Sequence, residues 1–247
     1  MSLRIKEEFH ELKLLLRSIP SLMMTLFVVS VITMNLLANK SIDLPVGWLA
    51  LDCGIIVSWI SFLSMDIITK HFGPKAATEA SLAAVAVNLF VCLFFYLAGI
   101  IPGTWGESYV DGSETVINGA LDATFGGTWY VLLGSTVAFI VSAVVNNFLN
   151  FAIGKLLRKD GFLAYACRSY ISTAVGQFTD NIVFALIVSH VFFGWTMLQC
   201  VTCAATGMVV ELLCEVAFSH LGYSVCVRWK NEDVGRQYFD YVEGRRK

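Results

Sequence analysis

The sequence predicts an all-α, polytopic membrane protein: a bundle of six transmembrane helices with an interfacial N-terminal helix on the cytoplasmic leaflet. Three observations predict it. Apolar residues make up 57% of the chain and charged residues 15%, with a mean hydropathy of +0.70; a soluble domain carries roughly 25% charged residues. The charges gather in short gaps between long apolar runs. The basic residues, moreover, fall in alternate gaps, which fixes one orientation.

Taken in order, residues 2–17 place Ile5, Phe9, Leu12 and Leu16 on one helical face and Lys6, Glu7, Glu8 and Lys13 largely elsewhere. That pattern suits a helix lying in the interface plane. It does not read as a secretory signal, because the apolar run comes late and is long enough to span. A hydrocarbon core of about 30 Å needs around 20 helical residues. Six runs qualify: 20–38, 47–68, 78–101, 128–156, 164–191 and 195–227. The last is long enough to tilt or to extend beyond the headgroups. Segment 102–127 is glycine-rich and acidic (Glu107, Asp111, Glu114, Asp122) with no Lys or Arg. It is long for a bundle connection and reads either as a solvated outer loop or as a partial cover over the outer mouth.

Of the seventeen Lys and Arg residues, only Lys40 falls on the other side; the remaining sixteen lie in the N-terminal segment, the second and fourth connections and the tail. By the positive-inside rule both termini are cytoplasmic, which requires an even number of spans. The chain therefore divides into an interfacial helix at 1–18, a six-span bundle at 19–227 and a cytoplasmic tail at 228–247, all one membrane domain. A multi-pass position in a bacterial plasma membrane is expected.

Several classes are excluded. The net charge of −2 and the lack of a basic stripe argue against nucleic acid as a partner. Seven cysteines, mostly inside apolar runs, make no disulfide framework. Cys200 and Cys203 share a C-x-x-C spacing but have no second pair, and the four histidines show no ligand spacing. No phosphate loop, H-E-x-x-H or G-x-S-x-G occurs, so neither enzymatic activity, a cofactor nor a metal is expected.

The informative residues are polar groups at bilayer depth. Asp180 lies mid-run, and a carboxylate there costs about 2.5–3.5 kcal/mol on insertion scales, so it is expected to face the bundle interior. Thr173, Gln177, Asp180, Asn181 and Phe184 follow i, i+3, i+4 spacing and share one face. Hydroxyl, amide, carboxylate and aromatic groups together suit a pocket for a small, flat, polar solute. Glu211 and Glu215 stand one turn apart, and like charges there favour retention of a proton on one of them. They are assigned to gating or proton coupling, with hydrogen bonding between helices as the structural alternative. Asp66 reads either as a gate near the cytoplasmic mouth or as a carboxylate solvated or paired with Lys70. Arg168 reads either as a headgroup anchor or as a partner for a carboxylate. Asn35, Asn146, Asn147 and Asn150 serve either as helix-packing amides or as ligand contacts. Asp52 and Glu79 are expected at the interface.

These segments resemble the queuosine precursor transporters, also called vitamin uptake transporters. The stretch 66–76, from Asp66 through His71-Phe72-Gly73-Pro74-Lys75-Ala76, is similar to that family's second-span ending. Arg168, Ser172-Thr173, Gln177, Asp180 and Phe184 match its fifth-span spacing, and Asn35 fits its first-span asparagine. Asn147 and Asn150 fall where relatives carry Gln and Asp. The resemblance implies a secondary transporter that imports 7-deazaguanine bases, such as 7-cyano-7-deazaguanine or 7-aminomethyl-7-deazaguanine. It implies a substrate site of Asn35, Asn147, Asn150, Ser172, Thr173, Gln177, Asp180, Asn181 and Phe184, with Asp66, Arg168, Glu211 and Glu215 in gating or proton coupling. The expected partners are a nucleobase-like solute and membrane lipids, with homo-oligomerisation left open. Departures stand at Glu211, where the family often has Lys four residues before an acid, at Asn181 for Thr, and at Asn150 for an acid. Exchanging a cation for an acid points to a different, cationic ligand. A second reading is the substrate-binding subunit of an energy-coupling-factor vitamin transporter. Against it, the first span lacks an Ala-x-x-x-Ala patch, and Ala76, Ala80 and Ala84 carry that spacing in the third.

Overall fold

A computed structural model describes residues 2–42, 44–105, 114–156 and 162–246. The described chain is helical throughout apart from one two-stranded hairpin. Helix α1 (Ser2–Ser18) ends before Pro20, which lacks an N–H and sets an extended backbone, and α2 (Ser21–Leu37) leaves at 101° to it. Strands β1 (Ser41–Ile42) and β2 (Leu51–Asp52) pair antiparallel, Ser41 opposite Asp52. They are followed by α3 (Ile55–Phe72), α4 (Pro74–Ile100), α5 (Glu114–Leu156) and α6 (Phe162–Phe184). A π-helical turn (Ala185–Ser189) and the short α7 (His190–Phe192) extend α6, and α8 (Met197–Asn231) and α9 (Arg236–Arg246) complete the chain.

Among the described residues, five helical spans are long and apolar enough to cross a membrane unaided, and α2 joins them as the sixth when taken with α1. At 17 residues α2 measures about 26 Å, near the lower limit for a span. The protein is thus an all-α, multi-pass membrane protein. Helix α5 packs between α4 and α6, α6 against α8, α8 against α3, and α3 against both α2 and α4. On α1, Ile5 and Phe9 are exposed while Glu11 and Leu15 are buried, so one apolar face is left for lipid and the other docks on protein.

Three expected boundaries need correction. The second span begins at Ile55 rather than at residue 47, because 47–54 forms the hairpin's return and its turn. The carbonyls of that return are taken by α8: Gln199 Nε2 donates to Gly47 O at 3.1 Å and Thr202 Oγ1 to Trp48 O at 2.8 Å. The acidic segment is not all connection, because from Glu114 onward it is already helix α5. Trp105 anchors that first stretch of helix, donating from its backbone to Asn118 Oδ1 (2.7 Å) and from Nε1 to Asp122 Oδ1 (2.8 Å) while stacking on Phe125. Glu107 and Asp111 lie outside the described residues. The fifth run is interrupted by the π-turn, where Tyr130 donates to Ile187 O at 2.8 Å and Gly134 gives Val188 room that a Cβ would take.

The tail folds back on the bundle. Asp233 and Gly235 adopt positive φ, reversing the chain so that α9 packs against α1. Phe72, Trp229, Tyr238 and Phe239 form an aromatic cluster there, and His71 Nε2 lies 2.8 Å from Val234 O. Buried Glu11 is clasped from two sides, by Lys75 Nζ at 2.7 Å and Arg245 Nη1 at 2.6 Å.

Candidate functional site

The interior polar groups divide into two depths. The pocket that matters lies between α2, α3, α5, α6 and α8, closed on one side by the hairpin, with a volume of about 50 Å³. Asp180, Asn181 and Phe184 of α6 line it, joined by Asn35 of α2, Ser58 of α3 and Glu211 of α8. Asp180 therefore faces the bundle interior, as its cost at this depth requires.

Each carboxylate in the pocket is held by neutral donors. Ser142 Oγ donates to Asp180 Oδ1 at 2.8 Å. Glu211, 1% exposed, accepts from Ser58 Oγ and, at 3.2 Å, from Asn181 Nδ2. The latter contact depends on Gly207, since a Cβ there would stand 2.5 Å from Asn181 Nδ2. Asp52 on β2 also lines the pocket, its Oδ1 accepting from the Gly54 N–H at 2.8 Å. Asn35 turns its amide donor to its own helix, at Val31 O (2.9 Å).

Thr173 and Gln177 share the face of Asp180 but sit deeper and do not line this pocket. Thr173 Oγ1 donates to Asp66 Oδ2 at 3.1 Å, tying α6 to α3. Gln177 is 1% exposed, and neither of its amide atoms has a hydrogen-bond partner among the described residues. Asn146 Oδ1 is likewise unpartnered, and Gly176 lets Asn146 approach α6 closely, with only 3.2 Å between its Cβ and a Cβ built on Gly176. Ser172 and Glu215 are buried and also lie outside the pocket lining. The side chains of Asn147, Asn150 and Arg168 lie outside the described residues.

The structure thus brings together Asn35, Asp180, Asn181, Phe184 and Glu211, and separates them from Ser172, Thr173, Gln177, Asp66 and Glu215. Sequence reasoning missed Asp52, Ser58 and Ser135. Asp52 was expected at the interface, and its correction follows from the hairpin, which brings it into the pocket lining. A usable signal existed in Asp52 alone: an acid at a span's end with no basic residue beside it in sequence.

A partly polar pocket between the helices of a multi-pass bundle suits a membrane transporter. Residues 52–225 match a family model described as "Putative vitamin uptake transporter". That match covers more than half of the chain, and the chain belongs to this family. A curated relative, the "Probable queuosine precursor transporter" of Bacillus subtilis (strain 168), is 26% identical over 153 residues, which is 62% of this chain and 62% of the relative. The match therefore spans less than two-thirds of that relative's length. No solved structure matches the chain.

Proposed function

We propose that this chain is a secondary transporter importing a queuosine precursor, or a related 7-deazaguanine or purine-like base, across a bacterial plasma membrane. Both termini lie in the cytoplasm on this reading, as the basic residues require. The observation that carries it is Asp180. One of its oxygens is engaged by Ser142, and the other has no donor among the described residues while the residue lines the pocket between the helices. A carboxylate is an acceptor only, and the N–H edge of a guanine-like ring offers paired donors to it. Asn181 supplies an amide for the ring carbonyl, and Phe184 an aromatic face for stacking.

At about 50 Å³ the pocket takes a few waters rather than a fused bicyclic base. Loading therefore requires the helices to part, and the deeper group of Asp66, Thr173, Gln177 and Glu215 lies along the inward route. Glu211 and Glu215, one turn apart on α8, serve as the site of proton exchange on this reading, with Asp66 and Arg168 at the inner gate. The energy-coupling-factor alternative loses ground because Ala76, Ala80 and Ala84 are buried in the bundle rather than presented as a docking face.

The test is uptake of labelled 7-deazaguanine base into cells unable to make it. Asp180→Asn keeps the shape and removes the charge, and is expected to reduce uptake by about tenfold or more. Unchanged uptake at normal protein levels would remove Asp180 from the mechanism.

A further inference from the structure

Among the described residues, the pocket's lining holds three carboxylates, Asp52, Asp180 and Glu211, and no Lys, Arg or His. No ion pair reaches any of the three among the described residues. Their protein donors are neutral: the Gly54 N–H, the hydroxyls of Ser142 and Ser58, and the Asn181 amide. Those donors occupy one oxygen of Asp52, one of Asp180 and both of Glu211, so two carboxylate oxygens in the pocket lack a donor among the described residues.

Three carboxylates in one low-dielectric space disfavour one another's charge, so positive charge, brought by protons or by a bound cation, must offset whatever charge they keep. We infer that the solute brings it: the site selects a flat heterocycle bearing an ammonium group, with Asp180 taking the ring's N–H edge and Asp52 the ammonium. An ammonium has three donors and no acceptor, which complements groups that only accept. A nitrile in the same position offers an acceptor to acceptors and leaves the charge to be offset by protons alone. This inference rests on the transporter reading and adds the charge of its substrate class.

Two 7-deazaguanines differing only in that substituent, the 7-aminomethyl and the 7-cyano base, provide the comparison. Binding of each to the purified protein at pH 7 is measured by titration calorimetry. The aminomethyl base is expected to bind at least about tenfold more tightly, which is ~1.4 kcal/mol. Asp52→Asn should move the ratio of the two affinities towards parity, and Asp52→Glu should keep it. Because each ratio is measured within one protein, a loss of active fraction does not alter it. If the nitrile binds as tightly as the amine or more so, or if its binding becomes tight only with added sodium, charge selection by the solute falls while the transporter reading stands. A ratio that Asp52→Asn leaves unmoved also overturns the assignment. If neither base binds, the transporter reading falls with it.

Discussion

Gln177→Met isolates a buried amide with no visible partner. The residue is 1% exposed, and both Nε2 and Oε1 lack a hydrogen bond among the described residues. An unsatisfied buried polar group costs about 1–3 kcal/mol, whereas an apolar side chain of similar shape carries no such penalty. Methionine matches glutamine closely in length and flexibility, so the packing around it changes little. The variant is therefore expected to be more stable than the parent by about 1–3 kcal/mol. For a chain of this size that corresponds to a rise in Tm of roughly 2–12 °C. Thermal unfolding in detergent, followed by tryptophan fluorescence, measures it. Uptake of labelled base should fall in the same variant, because an amide kept at a stability cost is kept for a second conformation, one in which it meets solute or water. A lowered Tm would show that Gln177 is satisfied in the resting protein. A raised Tm with full uptake would show that the amide has no part in transport.

Gly207→Ala should separate transport from folding. The new Cβ would lie 2.5 Å from Asn181 Nδ2, forcing that amide off Glu211, while the Gly-to-Ala gain in helix propensity of about 1 kcal/mol offsets part of the crowding. Uptake is expected to drop severalfold with Tm nearly unchanged, and unaltered uptake would remove the Asn181–Glu211 contact from the site's working parts. At the other end, Glu11→Ala unclasps α1 from α9, leaving Lys75 and Arg245 without their shared buried carboxylate. The expected loss is about 1–3 kcal/mol, below the value for fully buried pairs because both cations are partly exposed. The same clasp responds to acid. The Lys75 hydrogen bond and charge hold the Glu8 carboxyl below its ordinary value of 4.5. Its contribution is thus complete above pH 4.5 and fades as pH falls through the folded value. A spin-label pair on α1 and α9 should report a constant distance from pH 5 to 8 and a longer one on further acidification.

The bilayer explains what could be read directly. Spans must be apolar, helical and of nearly fixed length, so composition and run length were enough to find them. The shared face of Thr173, Gln177, Asp180, Asn181 and Phe184 was legible for the same reason, since helical geometry dictates it. That reasoning gave direction around the axis but not depth. Residues 173 and 184 stand about 16 Å apart along α6, so the face that looked like one site serves a tight contact with Asp66 at one level and a pocket at another.

What sequence could not supply was the other side of each contact. Ser58 meets Glu211 across 153 residues, and Asp52 enters the pocket only because Lys40 O accepts from the Cys53 N–H and the hairpin pairs Ser41 with Asp52. Neither pairing leaves a local periodicity. The π-turn is similar: residues 185–189 are as apolar as an ordinary span, and the irregularity is supported from α5 by Tyr130 and Gly134. That turn directly follows Phe184 and lies against α5, so a change in its winding would turn the site residues of α6 without breaking the span. On the proposed reading, in which the pocket must widen to admit a purine-like solute, the wider turn of helix between Phe184 and His190 is the expected pivot.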